Sequence, residues 1–346
     1  MKIAYILPKL KDSGIIRIPF WLSKRFSPSN DIKIFYFGET KPGEKSLEFE
    51  VPVEKISFTN FCHDLNNYDI VHSHGIQPDV YVLLNKSKIH AIKLTTIHGY
   101  HLEELRYYKG IIFSFIFGKL WDFACQKFDV SVCISKTMER YYKNKGFTNT
   151  RVIYNGIIQP NINDSTCLTD TSRKSNEIWI STVSILNRRK GVEQIIKLLT
   201  LNERFHLTAI GGSGKDISRL QRIAERLGVA SRCIFTGYKE NPWKIAINSD
   251  VFIFPSRSEG FGLALIEAAS LEIPIICSDI PTFREIFAED EVTFFQLDNI
   301  HDLNEKLLKT DEIRAKKKKA KLKVQKEFDL ESMCLNYYRL YLGVLR

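Results

Sequence analysis

Paired cysteines and long apolar runs are both missing from this 346-residue chain, and the two absences remove several classes of protein. The seven cysteines (62, 125, 133, 167, 233, 277 and 334) are odd in number, widely spaced and without a Cys-x-x-Cys pair. Neither a disulfide framework nor a zinc site is indicated, and a reducing compartment, the cytoplasm, is expected. No stretch reaches the roughly 18 uncharged apolar residues that a membrane-crossing helix needs. The nearest, 111–124, is interrupted by Lys119 and Asp122. The opening run from Met1 to Pro8 is too short for a secretion signal and reads as a first buried strand. No Ser-His-Asp set, Walker-type loop, metal-ligand set or nucleic-acid module is present, and no carboxylate is placed as a nucleophile. Acidic residues are the minority: 40 Asp and Glu against 50 Lys and Arg leave a net charge of +10. That excess attracts anionic partners without choosing among nucleic acid, acidic lipid and phosphorylated substrate.

What remains is a chain with 44% hydrophobic residues and length for about two domains. Short β-branched or aromatic runs alternate with amphipathic stretches, the pattern of repeated βα units and parallel sheets. Strands are predicted at 2–7, 32–37, 70–74, 91–97, 130–134 and 150–153, and again at 178–183, 206–210, 233–236, 251–254, 273–278 and 293–296. Helices are predicted in the second half at 192–199, 216–227, 262–271 and 302–326. Residues 158–177 are rich in Asn, Ser, Thr and Asp and read as a linker. The division expected is therefore a first α/β domain over 1–157, the linker, a second over 178–328, and a helix over 329–346 that packs back on the first. Two doubly wound, Rossmann-like domains facing a cleft would hold ligands at the carboxyl ends of their strands.

The most informative stretch runs from Phe252 to Glu267: a strand ends at Phe254, a loop carries Glu259, and Gly260 and Gly262 permit close backbone approach before a helix opens. Amides at such a helix start suit a diphosphate. Two glutamates eight apart are by themselves more often solvated surface charge, and the Pro-Ser, Gly-Phe-Gly and buried-strand context is what overrides that reading. Upstream, Arg188-Arg189-Lys190-Gly191 follows the first strand of the same domain, where a cation can neutralise a leaving diphosphate.

Glu259 to Glu267 resembles the E-x7-E signature of the family 4 glycosyltransferases, retaining enzymes of the GT-B fold. The resemblance implies that Glu259 contacts the hydroxyls of a donor sugar, that Gly260, Phe261, Gly262 and Leu263 line sugar and phosphates, and that Glu267 holds the ribose. Lys190-Gly191 resembles the family's Lys-Gly pair and places Lys190 on the donor phosphates. The family usually carries an Arg five residues earlier, where this chain has Ile185. Arg188 or Arg189 takes that role, or it goes unfilled. Gly211-Gly212-Ser213-Gly214 resembles the family's Gly-x-Gly turn, which puts Gly212 and Gly214 at the donor, although a tight strand-to-helix turn accounts for them equally well. Tyr238 matches a position near the nucleotide base.

In the first half, the strand 91–97 ends at His98, which by resemblance contacts the transferred sugar; a histidine at a strand end is otherwise commonly structural. His72 and His74 form a second family-like strand end, structural or near the acceptor. The first loop departs from the family, which has adjacent glycines there against which donor phosphate and acceptor sit; this chain offers only Gly14, which by resemblance takes that donor-binding place alone. The aromatic segment 107–121 reads either as a helix dipping into an anionic membrane interface or as a buried helix beside the acceptor. The lysine run 316–326 reads as a solvated helix face or a lipid-binding patch.

The implied activity is a metal-independent, retaining hexosyl or N-acetylhexosaminyl transfer. The donor is a nucleotide-sugar, UDP-sugar favoured and GDP-sugar open, and needs no cofactor beyond that co-substrate. The acceptor is a glycan or polyprenyl-diphosphate-linked chain of bacterial surface polysaccharide (O-antigen, lipopolysaccharide or capsule), met at the cytoplasmic face of the membrane. Catalysis would rest on His98, Lys190 and Glu259. A sugar-nucleotide epimerase of the same fold and a non-catalytic sugar-nucleotide-binding protein are the rival readings.

Overall fold

The computed structural model describes residues 1–41, 44–163 and 176–346. The linker expected at 158–177, Cys167 included, lies mostly outside them. The chain forms two compact units, one from 1–156 together with 330–346 and the other from 157–329.

The first unit holds β1 (Lys2–Lys9), α1 (Gly14–Phe26), β2 (Asp31–Gly38), β3 (Val53–Lys55), β4 (Ile70–His74), α2 (Ile76–Leu84), β5 (Ile92–Ile97), α3 (His101–Lys109), α4 (Ile111–Gln126), β6 (Val130–Cys133), α5 (Lys136–Lys143) and β7 (Thr150–Val152). Its seven strands are parallel in the order β3-β2-β1-β4-β5-β6-β7. Strands covered on both faces read as continuous apolar runs, which is why β1 and β4 were legible. The edge strand β3 is three half-exposed residues and was not predicted.

The second unit holds β8 (Ile178–Val183), α6 (Glu193–Leu198), β9 (Phe205–Ile210), α7 (Gly214–Arg226), β10 (Cys233–Gly237), α8 (Trp243–Ala246), β11 (Val251–Phe254), α9 (Leu263–Ser270), β12 (Ile275–Ser278), α10 (Pro281–Ile286), β13 (Thr293–Phe295), α11 (Ile300–Leu308) and α12 (Thr310–Glu327). Six parallel strands run in the order β10-β9-β8-β11-β12-β13. The single helix expected over 302–326 is two, because Lys309 leaves helical geometry (φ −90°, ψ 51°) and each part buries its own face, Leu303 and Leu307 in one and Ile313, Ala320 and Val324 in the other. The lysine run on α12 is tied to the body of this unit: Lys319, Lys321 and Lys323 pair with Asp290, Glu272 and Glu291. Among the described residues, no helix is long and apolar enough to cross a membrane.

The last helix, α13 (Leu330–Val344), belongs to the first unit. Its Tyr337 and Tyr341 are buried in one core with Ile3, Tyr5 and Leu7 of β1 and Ile16 and Leu22 of α1. The two phenols also satisfy polar groups inside the sheet. Tyr341 Oη lies 2.7 Å from Nδ1 of the buried His72 and 3.1 Å from Tyr5 Oη, while His72 Nε2 meets Thr96 Oγ1 at 2.9 Å and Thr96 meets Tyr337 Oη at 3.0 Å. Of the two readings open for His72, the structure assigns the structural one. A buried partner left alone bears its full desolvation cost. Tyr341→Phe, which keeps the ring and removes one oxygen shared by His72 and Tyr5, is expected to lower stability by about 1–2 kcal/mol in a denaturant melt; an unchanged midpoint would show that the network carries no stability.

Candidate functional site

In the second sheet the winding direction reverses between β8 and β11, the two central neighbours. Loops that follow such strands diverge and leave a crevice at the carboxyl ends. The loop after β8 (184–191) carries Arg189 and Lys190, and the loop after β11 (255–262) carries Glu259.

The two loops are stitched together. Arg257 N donates to Arg189 O at 2.8 Å, and the Arg257 guanidinium donates to Arg188 O at 2.8 Å. Gln194, buried in α6, donates through Nε2 to Pro255 O at 2.9 Å and accepts from Asp298 N through Oε1 at 2.8 Å. Gly191 explains the Lys-Gly pair in steric terms: its φ is +65°, and a Cβ there would lie 2.1 Å from Pro255 O. Only glycine lets the loops approach so closely.

Glu259 sits at the junction, 6% exposed. Lys190 Nζ donates to its Oε1, Arg189 Nη1 to its Oε2 at 3.1 Å, and Arg189 also donates to Ser258 O at 2.5 Å. Thr282 Oγ1 holds the Glu259 carbonyl at 2.7 Å. Burial by itself would raise the pKa of this carboxyl, but the charges of Lys190 and Arg189 outweigh it and hold the value at about 2. Lys190 also lies 5.1 Å from the centroid of Phe254. Of the two arginines weighed for the position vacated by Ile185, Arg189 is the one turned to this acid; Arg188 is exposed.

Four residues on, α9 opens at Leu263 behind Gly262, whose φ is +96° and whose Cβ would meet Phe283 at 2.9 Å. The first amides of a helix lack intrahelical partners and, with the dipole, favour an anion. Gly260 is buried, and the ring of Phe261 is buried against Phe328 at 5.4 Å. Glu267 is half-buried on α9. Gly212 packs on the loop after β8, where a Cβ would meet Leu186 at 2.8 Å, and Gly214 starts α7 with open space beside it. Tyr238, just past β10, is exposed. These residues all belong to the second unit.

His98 and Gly14 belong to the other unit. Gly14 begins α1 and is exposed; His98 follows β5 and is half-buried, with Nε2 3.0 Å from Nδ1 of the buried His74. Burial lowers the pKa of His72 and of His98 to about 3 and that of His74 well below its usual range, so all three imidazoles are neutral at physiological pH. Gln194 and Thr282 went unrecognised in the sequence. Neither had a local signal: Gln194 sits between Glu193 and Ile195 in a stretch that mixes polar and apolar residues, and Thr282 follows a proline.

The two strand orders, seven and six parallel strands each wound both ways from the centre, define the GT-B class of glycosyltransferase fold. The model for "Glycosyl transferases group 1" matches residues 169–326, and that for "Glycosyltransferase Family 4" matches residues 48–158. The O-antigen biosynthesis glycosyltransferase WclY of Escherichia coli is 31% identical over 305 residues, 85% of this chain and 84% of that protein. An N-acetylgalactosamine-N,N'-diacetylbacillosaminyl-diphospho-undecaprenol 4-alpha-N-acetylgalactosaminyltransferase of Campylobacter jejuni is 27% identical over 56% of this chain and 53% of its own. Anabaena HepE, solved in complex with UDP-glucose, superposes with a TM-score of 0.81 over 99% of this chain and 100% of its own, at 16% identity. The chain belongs to the family 4 glycosyltransferases.

The depressed pKa of Glu259 makes a stability prediction. Its ion pairs stabilise the fold above the unfolded glutamate value of about 4.3, and that contribution is lost as pH falls through about 2. Glu259→Gln should be less stable than the parent near neutrality by up to about 3 kcal/mol, with the gap closing on acidification. Denaturation midpoints against pH would show it, and a gap that does not change with pH would refute the pairing.

Proposed function

We propose that this chain transfers a hexosyl or N-acetylhexosaminyl residue, with retention and without a metal, from a nucleotide-sugar to a glycan or polyprenyl-diphosphate-linked acceptor in the assembly of bacterial surface polysaccharide. The observation that carries the proposal is the ionised Glu259 held between Lys190 and Arg189 beside the start of α9. The names of WclY and of the Campylobacter transferase support the acceptor class, and the UDP-glucose bound to HepE supports a UDP-sugar over a GDP-sugar.

In this reading the diphosphate lies on the first amides of α9, behind Gly262, and draws Lys190 toward itself. Arg189 then keeps Glu259 ionised while its carboxylate accepts from sugar hydroxyls. Glu267 takes the ribose, Gly212, Gly214 and Tyr238 border the nucleotide, and His98 and Gly14 keep the roles that their resemblance implies. A neutral His98 positions the sugar by hydrogen bonding rather than by supplying a proton. The leaving phosphate takes the proton of the acceptor hydroxyl on the face from which it departs, as Lys190 stabilises its growing charge.

The deciding measurement is thermal stabilisation by UDP-, GDP-, ADP- and dTDP-sugars, where a ligand at 100 times its Kd adds about 2.7 kcal/mol. A shift with UDP-sugars that Glu267→Ala weakens about tenfold in affinity would support the donor site; no shift with any nucleotide would sink it. Lys190→Ala, assayed with EDTA present throughout, is expected to lower kcat on the order of 10²-fold with a much smaller change in donor affinity. Equal loss in both would make Lys190 a binding residue only.

A further inference from the structure

The helix α4 has two faces that obey different rules. Its inner face is locked. Trp121 Nε1 donates to the buried Asp79 carboxylate at 2.6 Å, and that carboxylate also accepts from Ser73 at 2.5 Å and Thr95 at 2.8 Å. The buried His101 stacks on Trp121 at 3.7 Å with 7° between planes, and its Nδ1 meets Asp122 at 2.9 Å, while Asp122 is also paired with Lys145 at 2.7 Å. Gly118 lets α3 press in, since a Cβ there would touch Leu102 at 3.0 Å. Contacts of this kind fix the rotation of the helix about its axis, so the opposite face cannot turn inward.

That opposite face is apolar and uncovered. Ile111, Ile112, Phe115, Ile116, Leu120 and Phe123 are 65, 80, 56, 57, 40 and 49% exposed. From Ile112 onward they recur at helical spacing and form one stripe along a helix of 16 residues, about 24 Å long. Soluble surfaces do not leave such a stripe to water without a use for it. The charges seated on its aromatic rings are both positive. The acid of α4, Asp122, faces inward, whereas Lys119 Nζ lies 3.9 Å from the Phe115 centroid and Lys127 Nζ 4.9 Å from that of Phe123. A second copy of a chain with net charge +10 would bring these lysines together, whereas an acidic bilayer surface would attract them.

We propose that the outer face of α4 is a docking surface for an anionic lipid bilayer, its apolar side chains entering the acyl boundary and Lys119 and Lys127 meeting acidic headgroups. On α12, by contrast, Lys319, Lys321 and Lys323 are paired with acids of their own unit. The inference deepens the proposed function, since a polyprenyl-linked acceptor is presented at such a surface, and it rests on that reading for its purpose though not for its geometry.

The test is co-sedimentation of the full chain with vesicles of phosphatidylcholine alone and of phosphatidylcholine with phosphatidylglycerol. Binding to the mixed vesicles is expected, weakened by salt, about tenfold weaker in an Ile112→Asp, Phe115→Asp double variant and reduced in Lys119→Glu, Lys127→Glu. Both positions of the apolar variant are exposed, so its melting temperature and its stabilisation by UDP-sugar should match the parent. No sedimentation with acidic vesicles, or equal sedimentation of parent and variants, overturns the proposal. So does concentration-dependent self-association that the apolar variant abolishes, which would give the face to a second copy. Nucleotide stabilisation separates the two readings: retained without vesicle binding, it leaves the enzyme assignment standing and removes the docking face.

Discussion

A parallel sheet that winds outward in both directions from its centre must contain one pair of adjacent strands whose following loops part company. In the second unit that pair is β8 and β11, and almost everything chemically distinctive in the unit is gathered there because of it. The constraint is topological before it is chemical. It opens a gap, and the stitching by Gln194, Arg257 and the backbone of Arg189 then determines how wide the gap is. Glu259 lies where the stitches converge, so its charge state depends on side chains that also set the loop geometry. Position and electrostatics are not separable at this site.

The cost of gathering two cations around a buried acid is desolvation, which such arrangements repay only when every partner is well placed. Here the acid is ionised, its backbone carbonyl is held by Thr282, and one of its cations is itself bound to the carbonyl of the preceding residue. The first unit solves the opposite problem. There His72, His74 and His98 are kept neutral by burial, so His72 acts as a hydrogen-bonded bridge between the sheet and α13 and carries no charge into the core.

How much of this was legible in the sequence follows from the range of each interaction. Strands buried on both faces announce themselves within six residues, and the E-x7-E context lies within sixteen consecutive residues, so both were readable. The pairing of Arg189 with Glu259 spans 70 positions and that of His72 with Tyr341 spans 269. No local pattern distinguishes Arg189 from Arg188, and none announces that a strand histidine awaits a phenol near the chain end. The break at Lys309 was hidden for a related reason. No Gly or Pro stands there, Thr310 and Asp311 being only weak helix formers, and what separates α11 from α12 is the burial of two apolar faces. On α4 the aromatic crowding was visible, but which side faced in depended on Asp79, more than thirty residues earlier.

The chain enters the second unit at Ile157 and leaves it at Asp329, and these two points are neighbours: Ile157 N donates to Phe328 O at 2.9 Å. The second unit is thus an uninterrupted insertion, while the first is split and takes α13 from beyond it. During synthesis from the N-terminus, the inserted unit has all of its residues before the earlier one does. The first 156 residues wait with the underside of β1 and the imidazole of His72 lacking their cover until Tyr337 and Tyr341 emerge. Order of translation and order of completion are therefore reversed in this protein: the unit begun second holds all of its residues first, and the unit begun first stays open until α13 has been made.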